Sequence, residues 1–494
     1  MFSKNELCKT FINDVNEHPE RINVSIERIE EVLKMVIGEE KAENICNNKL
    51  FNVKNKRAQI EEEKANSICD LILENINYDQ LQRIILMFQD SEISTQEAIE
   101  LHEKFKIPLS HLEKDIIPVR GEGAWIVSNQ GKTYLDVDSN YSATNLGMNN
   151  EEIAKGLYNQ ASQLISMKED RVHIPRSRFL KSITGMMPEG LTNFYWQNSG
   201  GEAVDKSIKI AKAFTNHRGV IALENGFHGR THGALAVTYN LKYRKPFGLE
   251  NEDWVHFVKP GEIDEIEDLF KENKARSIIL ELVQGEEAGI KPLDKRFVSR
   301  IRKICDKYNG VMICDEVQSG FGRVAKKEGE WFASHTYNVI PDIMVIGKSF
   351  GGGYPVTAVV SNDKISDAMK GGYDGSTFGG NPMAMVAALI ATRQMRELNI
   401  TKNVVERSKQ IFDGLDKIDK KFDIFSNPHG MGMMIGFDLP SADDVNKFQD
   451  LLVKYRVKSS LSTNNTVRFL PPLILSEIEG KFLLSAIEKA LEDM

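Results

Sequence analysis

Apolar residues follow a different spacing in each part of the chain. Before residue 110 they recur three and four apart, as at Ile26, Ile29, Val32, Leu33 and Val36, which places them on one face of a helix. From about 113 the stretch VRGEGAWIVSNQGKTYLDV alternates apolar and polar residues and is broken by Gly and Asn, the pattern of a small sheet. Short apolar runs follow at GVIAL, RSIILEL, GVMICD and DIMVIG, each separated by a helical or turn-rich segment. Runs of that length suit parallel strands covered on both faces. WQNSGGEAVDKSIKIAKAF reads as a loop entering a helix, with Val204, Ile208 and Ala211 on its inner face. From about 385 helices mix with GMMIGFDL and TVRFLPPL, and Ser476 with Glu479 predicts a capping box for the last helix.

The first 110 residues also differ in charge. There 14 Lys and Arg face 21 Asp and Glu, so nearly all of the chain's net charge of -8 lies in a segment with one glycine, Gly38, and two prolines, Pro19 and Pro108. Pro108 and the following SHLEKD mark a joint. The 494 residues predict about three domains, and the acidic balance argues against a nucleic-acid partner. Five scattered cysteines (Cys8, Cys46, Cys69, Cys305, Cys314) suit neither a disulfide framework nor a zinc site, and no metal is expected. With neither a signal-peptide core nor an 18-residue apolar stretch, the expectation is a cytoplasmic protein without a membrane partner.

In an open α/β sheet, ligands lie beyond the carboxyl ends of the strands. Three apolar runs stop at polar residues: RSIILE at Glu281, VMICDE at Asp315 and Glu316, and DIMVIGK at Lys348. Taken singly, each is equally a solvated acid or a surface lysine; together they suggest a site. Glycines after Lys348 allow close backbone approach. A lysine that forms an imine must spend part of its cycle neutral, which favours a partly buried strand end. Asp315 would stay ionised against a cationic ring nitrogen, making that ring an electron sink. Gly200 and Gly201 would turn free N–H groups toward an anion, aided by the helix dipole; Ser-Gly-Gly before a helix is equally ordinary capping chemistry.

The motifs NSGGEAVD, NGFHGRT, ELVQGEEAG, ICDEVQSGFGR, PDIMVIGKSFGGG, GSTFGGNP and VRFLPPL, in that order, resemble the class III (ornithine and 4-aminobutyrate type) aminotransferases from about residue 113 to 494. The resemblance implies an α/β protein of the pyridoxal-phosphate-dependent transferase fold type I, with a large, mainly parallel-sheet domain and a smaller α+β C-terminal domain. The helical N-terminal appendage is absent from typical members. Expected boundaries are 1–110 for the appendage, 111–165 for the lead-in and first part of the small domain, 166–384 for the cofactor-binding domain and 385–494 for the C-terminal small domain.

Carried over, the resemblance makes Lys348 the Schiff-base lysine and proton shuttle, and Asp315 the partner of the pyridine nitrogen of pyridoxal 5'-phosphate. Ser199, Gly200 and Gly201 would bind the phosphate, Phe227 would stack on the ring and Gln318 would lie near its phenolic oxygen. Thr377 would reach the phosphate of a neighbouring subunit, implying a homodimer with a shared site. Substrate contacts would come from Tyr141, Arg230, Glu281, Glu286 and Arg468, with Glu286 pairing Arg468 when no carboxylate is present. Tyr141 and Arg468 have ordinary packing and ion-pair roles as their alternatives.

Three departures stand out: Gly201 replaces the usual Ser, Thr or Ala, Asp374 a frequent His, and Val324–Ala325 a Thr-Gly. The implied reaction moves an amino group from an ω-amine or amino acid (ornithine, acetylornithine, 4-aminobutyrate or a diamine) to an oxo acid, 2-oxoglutarate foremost. An aminomutase or amino-acid epimerase of the same fold is the alternative. Residues 1–110 are open to a role in docking a protein partner.

Overall fold

A computed structural model describes residues 33–34, 37–46, 70–75, 80, 95–424, 426–460 and 464–494. The chain divides into two compact units, residues 1–119 with Val127–Lys132, and residues 120–126 with 133–494. In the first unit, helices Glu39–Cys46 and Thr95–Phe105 are described, with Leu33, Ala42, Ile45 and Ile72 buried. The helical pattern expected at Ile26, Ile29, Val32 and Val36 lies outside the described residues. Pro108 falls in irregular chain after the second of these helices.

From residue 133 on, the main elements of the second unit are β1 (Thr133–Asp136), α1 (Glu151–Ala161), α2 (Ile174–Ile183), β2 (Asn193–Gln197), α3 (Gly200–Thr215), β3 (Val220–Leu223) and β4 (Val255–Val258). It continues through α4 (Ile263–Lys271), β5 (Ser277–Leu280), α5 (Lys295–Lys307), β6 (Val311–Asp315), β7 (Ile343–Ile346), β8 (Thr357–Ser361), α6 (Pro382–Glu397) and α7 (Ile400–Phe422). The last elements are β9 (Ser426–Met431), β10 (Met434–Asp438), α8 (Ala442–Lys454), β11 (Val457–Lys458), β12 (Thr466–Phe469) and α9 (Glu477–Glu492).

Seven strands form the main sheet in the order β2-β8-β7-β6-β5-β3-β4, and β8 alone runs against the rest. The four apolar runs predicted as buried strands are β3, β5, β6 and β7, and every residue in them is buried. Alternate side chains leave a strand on opposite faces, and the packing follows. Ala222, Ile279, Ile313 and Val345 meet Val204, Ile208 and Ala211 of α3 on one side. Ile221, Ile278, Leu280 and Met312 meet Ile266 and Phe270 of α4 and Phe297, Val298 and Ile301 of α5 on the other. With Ile313 in register with both Ile279 and Ile343, β5, β6 and β7 end side by side, which brings Glu281, Asp315 and Lys348 to one edge.

β9, β10 and β12 form an antiparallel sheet, while β11 pairs in parallel with β1, joining segments from either side of the main sheet in sequence. Helix α9 starts on the predicted capping box: Ser476 Oγ accepts the Glu479 N–H, and the Glu479 carboxylate accepts the Ser476 N–H. Among the described residues no helix is long and apolar enough to cross a membrane.

Candidate active site

At the carboxyl edge of the main sheet, loops enclose a cavity of about 580 Å³. Lys348, Asp315, Glu281 and Gln318 line it from the central strands, and Ser199, Gly200 and Gly201 from the start of α3. Phe227 and Arg230 come from the loop after β3, and Glu286 from the turn that follows residue 284. Arg468, on β12, reaches the same wall through an ion pair with Glu286 at 3.0 Å and is 2% exposed. Tyr141 and Thr377 do not line this cavity. Tyr141 sits in a run of left-handed residues, Ser139–Ser142, with φ between 46 and 75. Thr377 is exposed and borders a separate hollow beside Lys206, Lys209 and Lys212.

Backbone geometry sets the chemistry at each position. Lys348 takes a left-handed conformation (φ 47) directly after Ile346 and Gly347, a position that costs a residue with Cβ on the order of 1–2 kcal/mol. Burial pushes its ammonium below the ordinary value, while Glu286, Asp315 and Glu281 pull the other way. A lysine so placed has a larger share of neutral amine than a surface lysine.

Asp315, which ends β6, and Glu316, which follows it, separate, as adjacent residues of an extended chain do. Asp315 lines the cavity. Glu316 is fully buried and accepts the Ala333 and Ser334 N–H groups at 2.7 Å each, together with the Ser319 hydroxyl at 2.9 Å. It therefore caps the helix Ala333–Tyr337.

Asp315 is held from behind. The His228 Nδ1–H donates to Asp315 Oδ2 at 2.9 Å, and the Val317 N–H to Oδ1 at 3.2 Å. His228 Nε2 is buried without a partner. His228 directly follows Phe227 in NGFHGRT, but nothing local marks it as the partner of Asp315. Glu281 accepts the Phe227 N–H at 2.9 Å and the Gly285 N–H at 3.2 Å, so it ties the Phe227 loop to the sheet. Burial pushes its carboxyl up to about 7, with His228 opposing and Asp315 reinforcing.

At the start of α3, Ser199 Oγ accepts the Glu202 N–H, and the Glu202 carboxylate returns to the Asn198 and Ser199 N–H groups. That capping box leaves the Gly200 and Gly201 N–H groups for another acceptor. Gly201 has a local reason to be glycine: a Cβ there would lie 3.0 Å from Thr231 Oγ1 and 3.1 Å from its methyl. Thr231 Oγ1 itself is buried without a hydrogen-bond partner, and Thr231 lines the same cavity. Like His228, it belongs to the motif NGFHGRT. Asp374, another departure, pairs with Lys206 and Lys209 at 2.5 Å each. Val324 and Ala325 follow Arg323, whose fully buried guanidinium donates to the Pro471 and Met433 carbonyls at 2.6 and 3.1 Å.

A cavity with a buried lysine, a carboxylate backed by histidine, an aromatic ring and free N–H groups at a helix start can hold a flat, cationic, phosphorylated ring. Residues 109–491 match the model of the family described as Aminotransferase class-III. The chain is 33% identical over 398 residues to the acetylornithine aminotransferase of Archaeoglobus fulgidus, covering 79% of this chain and 98% of that one. It is 32% identical over 384 residues to the LysW-aminoadipate semialdehyde transaminase of Deinococcus radiodurans, covering 77% and 87%. The ornithine aminotransferase of Toxoplasma gondii shares the fold with a TM-score of 0.76 at 23% identity, over 82% of this chain and 97% of that one. For the acetylornithine aminotransferase of Elizabethkingia anophelis the TM-score is 0.71 at 26% identity, over 81% and 99%.

Proposed function

Since the chain belongs to the class-III aminotransferases, enzymes dependent on pyridoxal phosphate, we propose that it moves the amino group of an ω-amine or amino acid to an oxo acid, with 2-oxoglutarate as acceptor. Ornithine, acetylornithine, 4-aminobutyrate and diamines are the candidate donors, and the names of its relatives support amines at the end of a chain.

The residues present fit the cofactor. Two buried polar atoms at the cavity, Thr231 Oγ1 and His228 Nε2, have no partner within the chain, and Gly201 packs against the first of them. In this reading Ser199, Gly200, Gly201 and Thr231 hold the phosphate and Phe227 covers the ring. Gln318 neighbours the phenolic oxygen, Asp315 faces the ring nitrogen and Lys348 makes the covalent link. When bound, pyridoxal phosphate supplies an aldehyde that condenses with amines and a cationic ring that accepts the electron pair left on the substrate carbon.

The chain's own part is placement and proton transfer. His228 keeps Asp315 oriented toward the cavity, and Asp315 keeps the ring nitrogen charged. Lys348 Nζ, neutral more often because it is buried, takes a proton from the substrate carbon and returns one. Glu281 fixes the Phe227 backbone, and with it the plane against which the substrate is held.

The observation that carries the reading is the Arg468–Glu286 pair at 3.0 Å on the wall of the Lys348 cavity. Arg468 can release Glu286 to grip a carboxylate and take it back when the substrate has none there. An enzyme that accepts two unlike substrates in turn needs such a site; an epimerase or aminomutase, which handles one skeleton, does not. The test is a donor screen with 2-oxoglutarate, reading glutamate formed. Glutamate from a terminal amine is the expected result, and rearrangement or epimerisation of a single amino acid without an oxo acid would overturn it.

The same reading makes the enzyme a cytoplasmic homodimer in which Thr377 serves the neighbouring subunit's phosphate. Residues 1–110 then form an accessory segment for a protein contact, outside the catalytic body of 111–165, 166–384 and 385–494.

A further inference from the structure

Lys348 is not alone in its left-handed backbone. The run Ser139–Ser142 takes positive φ at four successive residues, none of them glycine, and a residue with a Cβ holds that conformation only where its surroundings fix it. The two segments meet at one hydroxyl. Ser349, next to the lysine and 1% exposed, donates from Oγ to the Ser142 carbonyl at 3.0 Å and accepts the Asn145 side-chain amide.

Asn145 carries the chain of bonds onward. It is fully buried, and its Oδ1 accepts from Arg323 Nη2, while its backbone carbonyl accepts the Leu473 N–H at 2.8 Å. Arg323 Nη1 donates to the Pro471 and Met433 carbonyls, and Ser139 Oγ donates to the Leu470 carbonyl at 2.5 Å. Buried side chains thus join the 139–145 segment, the start of the lysine loop and the chain just beyond β12. A buried network whose members satisfy one another holds its parts rigidly and is costly to break at any one of them. None of Asn145, Arg323 and Ser349 lines the cavity, whereas Lys348 does, so their effect on the chemistry passes through the lysine's backbone.

We propose that Asn145 and Ser349 are positioning residues for Lys348. Their hydrogen bond, anchored on Arg323, holds the lysine's left-handed backbone so that Nζ stands ready to condense with the cofactor aldehyde, a step that forms the C=N bond and releases water. The inference rests on the aminotransferase reading above.

The test compares pyridoxal phosphate with pyridoxamine phosphate, which has no aldehyde and cannot link to lysine, as ligands of the full chain freed of cofactor. A lysine released from this clamp must regain the left-handed backbone on linkage. Ser349→Ala should therefore bind pyridoxal phosphate roughly 5- to 30-fold more weakly, the factor equivalent to the energy of one left-handed residue. Its affinity for pyridoxamine phosphate should match that of the wild type. Asn145→Leu, which removes the amide at similar volume, should repeat the selective loss and keeps the test decisive if Ser349→Ala does not fold. Equal losses for both cofactor forms, the mark of ordinary packing damage, overturn the inference, and so does the absence of any loss. If borohydride fixes no cofactor to the wild-type chain, the aminotransferase reading itself falls, a result separate from the comparison of variants.

Discussion

Replacing Glu286 with Gln probes the carboxylate switch directly. At 3.0 Å and an effective dielectric constant of about 20, the pair attracts by roughly 5.5 kcal/mol. Both ions gave up water to meet: the Arg468 side chain is 2% exposed and that of Glu286 19%. The net value is therefore closer to ~1.5–3 kcal/mol, the range for a charged hydrogen bond.

A carboxylate that binds Arg468 has to break this pair first, so Glu286→Gln should tighten 2-oxoglutarate by roughly 10- to 100-fold. A diamine donor leaves the Arg468–Glu286 pair closed in the wild type and meets the same Arg468 before and after binding in the variant, so its KM should change far less than the affinity for 2-oxoglutarate. Because Glu286 is also the largest attraction opposing burial at Lys348, the variant's Lys348 should lose its proton more readily. Calorimetric titration of 2-oxoglutarate and the KM of a diamine give the two numbers. Changes of the same sign and size for acid and amine would refute the switch and leave the pair a structural ion pair.

Asp315→Ala should retain cofactor that borohydride fixes to the chain but lose turnover on the order of 100- to 1000-fold; near-normal turnover would show that Asp315 does not hold the ring nitrogen. Glu281 predicts a pH dependence of stability in cofactor-free protein. Its carboxyl rises from 4.5 to about 7 on folding, so the cost of ionising it is absent below pH ~4.5 and complete above pH ~7. Stability should fall as pH rises through that window, and Glu281→Gln should flatten the fall in thermal melts; a wild-type and variant slope that coincide would remove Glu281 as the cause. Residues 111–494 expressed alone should keep the cofactor spectrum and half-reaction rate, as the family match over 109–491 suggests; a folded fragment that cannot bind cofactor would place the N-terminal segment in the active site.

Much of this arrangement was legible because parallel strands state their burial in the sequence. VIAL, IMVI and the IIL of SIIL are apolar throughout, since helices cover both faces, so the polar residue that ends or follows each run marks the sheet's edge. The Ser476–Glu479 cap was equally readable, being local. The support around the site was not. His228 and Asp315 are 87 positions apart, and only the loop path after β3 brings them together. Glu316 and Asp315 look alike in sequence, yet strand alternation sends one to cap a helix and the other to the cavity. The glycine at 201 became explicable only once Thr231 was found where its Cβ would go. Tyr141, singled out by its motif, lies in the left-handed run 139–142 and is not among the residues lining the cavity.

The central claim is that Lys348 carries the cofactor through two half-reactions. The most direct measurement mixes cofactor-loaded enzyme with a terminal amine in the absence of oxo acid and records the visible spectrum, then adds 2-oxoglutarate; Lys348→Ala is run in parallel with borohydride reduction. Amine should remove the absorption of the lysine-bound cofactor, 2-oxoglutarate should restore it, and Lys348→Ala should yield no cofactor fixed to the chain. A wild-type spectrum that amine leaves unchanged, or cofactor still fixed to the Lys348→Ala chain by borohydride, would contradict it.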